Sequence, residues 1–497
     1  MQDFSSVLHA VFSHARSIPG KIAIIEAETD KKCTYNELWS YVKAFSKRLI
    51  AAGVKRDFGD GYGTRVVVRC TQTIDFVVAS LAVQLAGGVF VPVEARIADA
   101  RIIEIMEETD SKILVAEKPL PGYASTYIPI SDATSEQDDS ENESIVFPAI
   151  DAVALILFTT GTTGKSKGVM HSHKSYTAYI KGVYSAFKHD SEQILLIPNP
   201  LNHNFGLNRV YLSLFFKCTV VLLDGYVLAK SFFSSVVKYK VTMLNLPSAA
   251  TEMYLRTCRD KLIEIRDQLD YIGLAASSFP EMLITSIREI FYNSKIIQTY
   301  GATEVTGCYI DHAQKKHLPF CVGQPYSGTE VVFFDEQKNN IVGATSKSPG
   351  LFALNGDTKM LGYWKNPELT ASVKRGEYII LSDLGYKGDD GLFYFLGRAD
   401  DVIVSGGNKI APLEIEEIAN SHYGICESAC VPVSDPIMGQ VPKLYVVMKE
   451  NHTFDFSEIH KFMQEKLEIM KIPRYIEEID AIPKINNKIN RKGLKKR

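Results

Sequence analysis

Between residues 65 and 116 short β-branched runs alternate with longer amphipathic stretches, and this change of period constrains the fold more than any other feature of the chain. Arg65 to Cys70 reads as a strand, Ile74 to Leu85 as a helix, Val89 to Val93 as a strand, Ala98 to Glu108 as a helix and Ile113 to Ala116 as a strand. Such alternation is the signature of parallel sheets covered by helices. It returns from Gln193 to Leu246 and from Tyr271 to Thr299, so the α/β fold is expected to hold two stacked βα subdomains. After Gly350 short strands with turn signals take over, and G-D-D-G at 388–391 reads as a hairpin turn. From Asp400 to the end the chain is the size of one small α+β domain, which predicts domains at 1–399 and 400–497.

A length of 497 residues implies roughly three globular units. Hydrophobic residues at 46% and charged residues at 23% fit a soluble globular chain. The net charge of -3 provides no global field for nucleic acid or an anionic membrane, so an anionic ligand must be held by a local site. Eight cysteines without a disulfide-like spacing fit reduced thiols in a cytoplasm. His422, Cys426 and Cys430 recur every four residues; the spacing suits a metal site or a buried helix face, and a matching second pair is lacking. The segment M-Q-D-F-S-S-V-L-H-A has no basic-then-apolar pattern of a secretory signal. The apolar stretch Ile74 to Val93 is interrupted by Asp75, Gln84, Gly87-Gly88 and Pro92, and reads as a core helix turning into a strand instead of a membrane span. Thr134 to Ser144 is acidic and aperiodic, a solvated loop.

The segment L-F-T-T-G-T-T-G-K-S-K-G, Leu157 to Gly168, carries the strongest chemical signal. A strand that breaks into hydroxyls and glycines presents backbone N–H groups that wrap phosphate oxygens. Thr159, Thr160, Thr162 and Thr163 add hydroxyl donors, Gly161 and Gly164 expose backbone, and Lys165 and Lys167 add positive charge. The Walker A loop does not fit: only Thr162 and Thr163 separate Gly161 from Gly164, where four residues are required. Gly/Ser/Thr/Lys-rich stretches are usually flexible loops, but this one follows a buried strand and spaces its glycines regularly.

In this wording the loop resembles the phosphate loop of the adenylate-forming, AMP-binding superfamily, which includes acyl-CoA synthetases, peptide-synthetase adenylation domains and beetle luciferases. The resemblance continues in order along nearly the whole chain: T-Y-N-E-L from Thr34 and A-G-G-V-F-V-P-V from Ala86, similar to early sheet elements; P-L-N-H-N-F-G from Pro200; Q-T-Y-G-A-T-E-V-T-G from Gln298; M-L-G-Y-W-K-N-P-E-L-T from Met360; S-D-L-G from Ser382; G-R-A-D-D-V-I from Gly397; and P-K-I-N-N-K-I-N-R-K-G-L from Pro483. It implies a β-barrel-like part completing the large domain and a mobile C-terminal lid. It also implies ATP, Mg2+ and coenzyme A as the small molecules used.

Residue by residue, the resemblance places Tyr300 on adenine, with Ala276, Gln298, Thr299, Gly301 and Thr303 around the nucleotide and Glu304 as the magnesium anchor. Taken by type alone, Thr303-Glu304 after a glycine would be a helix start with a capping carboxylate. Asp383, following a strand from Tyr378 to Leu381, would meet the ribose hydroxyls, with Arg398 opposite; L-S-D-L stands where the family usually has T-G-D-L. His203 would lie near the substrate carboxylate and the thiol channel, and the absence of a nearby acid favours a substrate without an α-amino group. His171 and His173 continue the phosphate-loop motif into its helix. Phe205, Ala275 and Ala302 would line the acid pocket, admitting an aliphatic chain or an aryl ring.

Lys488 is assigned the bridge between substrate carboxylate and α-phosphate, although Asn487 replaces the usual glycine before it. Asp400 is the hinge, and Gly406 and Gly407 approach the pantetheine channel after the lid turns. The implied activity is ATP-dependent formation of an acyl-adenylate from a fatty or aryl acid, then transfer to coenzyme A. Loading of a carrier-protein pantetheine, a luciferase-like oxygenation and a non-enzymatic nucleotide-binding role stay open.

Overall fold

The computed structural model describes residues 4–57, 59–140, 144–160, 166–188, 190–226, 228–275, 281–312, 320–406, 408–485 and 488–495. Two large sheets carry the first four hundred residues. In the first, the order is Gly362–Tyr363, Ser166–Ser172, Val153–Thr160, Val89–Val93, Arg65–Arg69, Ile113–Ala116 and Thr126–Pro129. The strand and helix spans read from residues 65–116 appear almost unchanged, with Ala98 serving as N-cap of the helix Asp99–Glu108.

The second sheet begins at an edge the sequence hid, where Lys32–Thr34 lies antiparallel to Ile22–Glu26. Ile22–Glu26 runs parallel to Thr219–Leu222, followed by Ile194–Ile197, Met243–Pro247, Tyr271–Ala275 and Lys295–Gly301, all parallel. Beyond Lys295–Gly301 the ladder turns antiparallel, through Thr306–Asp311, Cys321–Pro325, Phe393–Arg398, Tyr378–Lys387, Gly350–Asn355 and Glu330–Phe334. The smaller β part is thus continuous with the second sheet and starts near Thr306, well before Gly350.

The helix Ile74–Leu85 explains how the sheets join. It is buried at almost every position and packs in one apolar cluster with Val66 and Phe90 of the first sheet and Leu195 and Val220 of the second. A helix apolar on all sides belongs between layers. Its N-cap, Thr73, makes no capping bond, and the Ile74 N–H instead donates to Glu26 Oε1 of the other sheet at 2.8 Å. A carboxylate supplied to a helix N-terminus from the neighbouring layer ties the two sheets electrostatically.

Two local readings are corrected. T-Y-N-E-L is not a sheet element: Thr34 ends a short strand and caps the helix Tyr35–Ala51, its side chain accepting from the Glu37 N–H while the Glu37 carboxylate accepts from the Thr34 N–H. His422, Cys426 and Cys430 share no helix face. His422 follows the helix Pro412–Asn420, and both cysteines lie in the strand Ile425–Asp435. Among the described residues there is no cluster fit to hold a metal ion, and no helix long and apolar enough to cross a membrane.

The C-terminal part has its own sheet, built from Ile403–Ser405, Asn408–Ile410, Ile425–Asp435, Gly439–Met448 and Tyr475–Glu478. Its core sets Ile415 of one helix and Ile459 and Met463 of another against Leu444 and Val446. That is the expected α+β unit. It touches the large part through Arg256, whose guanidinium donates to Cys426 Sγ at 3.1 Å and to the Cys426 carbonyl at 3.3 Å.

Candidate active site

The carboxyl ends of the parallel strands Met243–Pro247, Tyr271–Ala275 and Lys295–Gly301 lie side by side where the second sheet changes from parallel to antiparallel. In open α/β sheets that is where ligands bind. Residues 302–304 form the turn at this switch, closed by the Ala302 N–H on the Val305 carbonyl at 2.9 Å. Thr303-Glu304 therefore starts a β-turn, and the helix-capping alternative does not hold.

The glycine-rich segment reaches the same place from the first sheet. Val153–Thr160 and Ser166–Ser172 form a hairpin that pairs Thr159 with Lys167 and Phe158 with Gly168. His171 consequently lies in a strand, and only His173 belongs to the following helix, His173–Phe187. A Cβ on Gly168 would come within 2.9 Å of Ile156 Cγ2 and 3.2 Å of Trp364 Cβ. Its bareness lets the Met360–Trp364 segment close on the hairpin, with the Trp364 N–H donating to the Gly168 carbonyl at 2.7 Å.

That docking creates a contact the sequence reading missed. The Tyr363 hydroxyl donates to Glu304 Oε1 at 2.7 Å, while Lys167 Nζ stands 5.6 Å from the Tyr363 ring centroid. Burial, and then the Glu304 charge, push the Tyr363 phenol far up, so it stays a donor. The Met360 N–H also holds the Glu304 carbonyl at 2.8 Å. Lys167, Tyr363 and Glu304 thus bring both sheets together at one point. The only signal for Tyr363 was its place in M-L-G-Y-W.

His171 braces the same turn from below. Its Nε2 donates to the Thr303 carbonyl at 2.7 Å, and Nδ1 lies 3.1 Å from Ser175 Oγ. Burial lowers this imidazole and pushes His173 down to about 4, so both rings are neutral near pH 7. An unfolded histidine titrates near 6.5, so His173 takes up its proton on unfolding, and its stabilising contribution is present above that pH and lost as pH falls toward 4. Urea unfolding across this range should show a loss of up to about 3 kcal/mol attributable to this ring. His173→Phe should flatten that slope, and an unchanged slope would place the titration elsewhere.

A second cluster lies along the antiparallel part. Asp383 falls inside the strand Tyr378–Lys387 instead of following a strand that ends at Leu381, and it pairs in register with Arg398. Its Oδ2 accepts from the Tyr300 hydroxyl at 2.8 Å, and its Oδ1 lies 3.4 Å from Arg398 Nε. The Tyr300 ring packs on Phe352 and Phe395, with centroids at 5.1 and 5.6 Å. Gln298 shares the Tyr300 side of the strand and meets His312 Nε2 at 2.8 Å, whereas Thr299 points to the opposite face. The predicted nucleotide residues of this strand therefore do not form one surface.

His203 is the exposed N-cap of the helix Asn204–Phe215 and makes no side-chain cap bond. Gly206 is required behind it: a Cβ there would sit 2.3 Å from the Pro200 carbonyl oxygen. Asn204 Oδ1 accepts from the Tyr176 hydroxyl at 2.8 Å, and Tyr176 packs edge-on against His171 at 5.5 Å. The start of this helix, which also carries Phe205, is thereby connected to the Thr303 turn. Asp400 lies in the single turn Ala399–Asp401, and Gly406 ends the strand Ile403–Ser405 with its N–H on the Met438 carbonyl at 2.9 Å. Gly161, Thr162, Thr163, Gly164, Lys165, Ala276 and Gly407 lie outside the described residues, as do the side chains of Thr160, Ala275 and Lys488. The backbone of Lys488 is in a two-residue strand paired with Lys484–Ile485.

Against this geometry, the AMP-binding enzyme family matches residues 11–364, and the AMP-binding enzyme C-terminal domain matches residues 414–488. The 2-succinylbenzoate-CoA ligase of Bacillus licheniformis is 27% identical, over 97% of this chain and 98% of that one. Two solved structures share the fold. ATP-bound MatB from Rhodopseudomonas palustris superposes with a TM-score of 0.89 at 22% identity, covering 99% of this chain and 98% of its own. The o-succinylbenzoate coenzyme A synthetase MenE from Bacillus subtilis, in complex with ATP and magnesium ion, gives 0.84 at 24% identity, covering 98% and 99%.

Proposed function

The chain belongs to the AMP-binding enzyme family, and from that premise we propose that it is an ATP-dependent acid-thiol ligase that makes an acyl-adenylate and passes the acyl group to coenzyme A. One observation supports this most. Glu304, at the switch point of the second sheet, meets Lys167 and Tyr363 of the first, and the Tyr300–Asp383–Arg398 cluster lies on that second sheet, on strands at and just beyond the same switch point. The Glu304 contact is a charged group suited to a triphosphate and the cluster a carboxylate suited to sugar hydroxyls.

In this reading the substrate carboxylate attacks the α-phosphorus, the bond to the β-phosphate breaks, and pyrophosphate leaves. Lys167, Thr159 and the residues of 160–165 cradle the phosphates. Glu304 fits magnesium as a hard oxygen donor: Tyr363 occupies one carboxylate oxygen and leaves the other available. Magnesium, when bound, offsets the charge of the departing pyrophosphate. The Asp383 carboxylate accepts from the ribose, oriented by Tyr300 and Arg398, and Lys488 neutralises the crowded oxygens from the lid. The thiol then attacks the acyl carbonyl and AMP leaves. A lid of residues 400–497 turning at Asp400 would exchange Lys488 for the Gly406-Gly407 loop, with His203 and Phe205 bordering the acyl and thiol path. The eight free cysteines fit a reducing compartment, and we place the enzyme in the cytoplasm.

Pyrophosphate release tests the first half and thioester formation the second. Release should require an acid, ATP and magnesium together. Coenzyme A should then accept the acyl group in preference to a pantetheine-bearing carrier protein. Nucleotide binding without acid-dependent AMP formation over fatty, aryl and short acids would defeat the assignment.

A further inference from the structure

Arg209 is unlike the other buried arginine of the chain. Arg65, 1% exposed, donates from Nε to the Thr109 carbonyl at 2.8 Å and from Nη1 to the Gly63 carbonyl at 3.2 Å, and pairs with Asp60 at 2.9 Å. Arg209, 2% exposed, has no hydrogen-bond partner for Nε, Nη1 or Nη2, and no ion pair among the described residues. What it does have is two aromatic neighbours: its Cζ stands over the Phe187 ring at 5.2 Å from the centroid and over the Phe205 ring at 5.3 Å.

Aromatic faces stabilise the charge of a guanidinium without accepting from its N–H donors. Those donors form a fork matched to two oxygens of a carboxylate. A buried charge without acceptors is strongly unfavourable, and retaining one implies that its partner arrives with the ligand. Two further polar atoms nearby are also unsatisfied. Asn208 Oδ1, on the adjacent residue, is buried without a donor while its Nδ2 is spent on Asn204 Oδ1 at 2.6 Å. The Tyr326 hydroxyl, in a residue 2% exposed, has no partner either, and the Arg209 charge acts on that phenol against the burial that raises it.

Arg209 lies six residues beyond the N-cap His203, about 9 Å along the helix axis at 1.5 Å per residue. Helical side chains lean toward the N-terminus, and the contact with Phe205, four residues earlier, shows that Arg209 does so. Its fork is therefore held deeper than the reacting end but within the length of a modest acid.

Resting on the ligase reading above, we propose that the acid substrate carries a second carboxylate, which Arg209 receives on its N–H fork beside Phe187 and Phe205, with Tyr326 as an additional donor. The enzyme is then a ligase for dicarboxylic acids, and Arg209 selects against acids with an apolar far end.

Acid-dependent pyrophosphate release is measured with adipate, suberate and an aryl diacid, their monomethyl esters, and hexanoate and octanoate, on wild type, Arg209→Met and Arg209→Lys. The expected result is a wild-type kcat/KM at least about 10²-fold higher for a diacid than for its half ester, since a site built around buried donors rejects analogues that leave them unpaired. Arg209→Met should invert the preference toward half esters and monoacids. Arg209→Lys, which keeps the charge and loses the fork, should keep the preference with a weaker ratio, and its retention guards against reading misfolding as specificity. Equal or better use of monoacids by wild type overturns the proposal while leaving the ligase intact. An unchanged preference in a folded Arg209→Met overturns the role of Arg209. No release with any acid counts against the ligase reading itself.

Discussion

Lys488→Met should abolish acid-dependent pyrophosphate release yet leave thioester formation from supplied acyl-adenylate near the wild-type rate. The adenylation step crowds a carboxylate against an α-phosphate, and one preplaced cation in a partly dry site contributes about 10²-fold or more to such a step, judged from the loss of single oxyanion donors. The thiol step begins from an adenylate whose charge crowding is already relieved, so it does not need the same lysine. In the backbone there, Lys484–Ile485 and Lys488–Ile489 form a small antiparallel ribbon, and Asn490 caps the terminal turn Arg491–Leu494 through the Gly493 N–H at 3.1 Å. Isotope exchange between pyrophosphate and ATP reads the first half alone, and acyl transfer from synthetic adenylate reads the second. Equal loss in both would reject the division of labour between the lysine and the lid.

The parts of the molecule that were legible beforehand are those decided by neighbours in sequence. The spans Ile74–Leu85, Val89–Val93 and Ile113–Ala116 follow from local periodicity, and the hairpin at 388–391 is closed by the Gly391 N–H on the Gly388 carbonyl at 2.9 Å. What stayed hidden depends on register between distant segments. Ile22–Glu26 joins a sheet in which its parallel neighbour is almost two hundred residues on, and Glu26 caps a helix of the other layer. Tyr363 meets Glu304 only because Gly168 lets a later strand close on the hairpin. Asp383 was expected to follow a strand running from Tyr378 to Leu381. Pairing with Phe393–Arg398 extends that strand to Lys387, and a bulge between Leu384 and Gly385 absorbs the irregularity. The resemblance had placed Gln298, Thr299, Tyr300 and Gly301 together around the nucleotide, and the two-residue period of the strand sets their side chains on alternate faces.

Glu416→Ala should destabilise the C-terminal part by about 3–5 kcal/mol, the usual cost of removing one member of a buried ion pair. Its carboxylate is 4% exposed and holds three segments at once. Oε2 accepts from Arg491 Nη2 at 2.8 Å, Oε1 accepts from the Cys430 N–H at 2.6 Å, and Arg491 lies 3.9 Å from Asp401. Burial pushes this carboxyl up, while the guanidinium and the Cys430 N–H pull it back toward the ionised form. Removing Glu416 leaves the largely buried Arg491 charge with only the longer Asp401 contact among the described residues and loosens the tail that carries Lys488 three residues earlier. Glu416→Leu with Arg491→Met together should therefore recover most of the stability lost by either change alone, because paired apolar replacement leaves no buried charge unmatched. The two tryptophans of the chain, Trp39 and Trp364, both lie in the large part, so their fluorescence is a poor probe of this event. Amide exchange over the strands Ile425–Asp435 and Gly439–Met448 reports it directly. The functional readout separates stability from placement: the double variant should fold like wild type but adenylate more slowly, since the apolar pair no longer ties the terminal turn to Asp401. Strictly additive losses, or a single-variant cost below about 1 kcal/mol, would show that Glu416 is a tolerated buried acid and that some other contact positions Lys488.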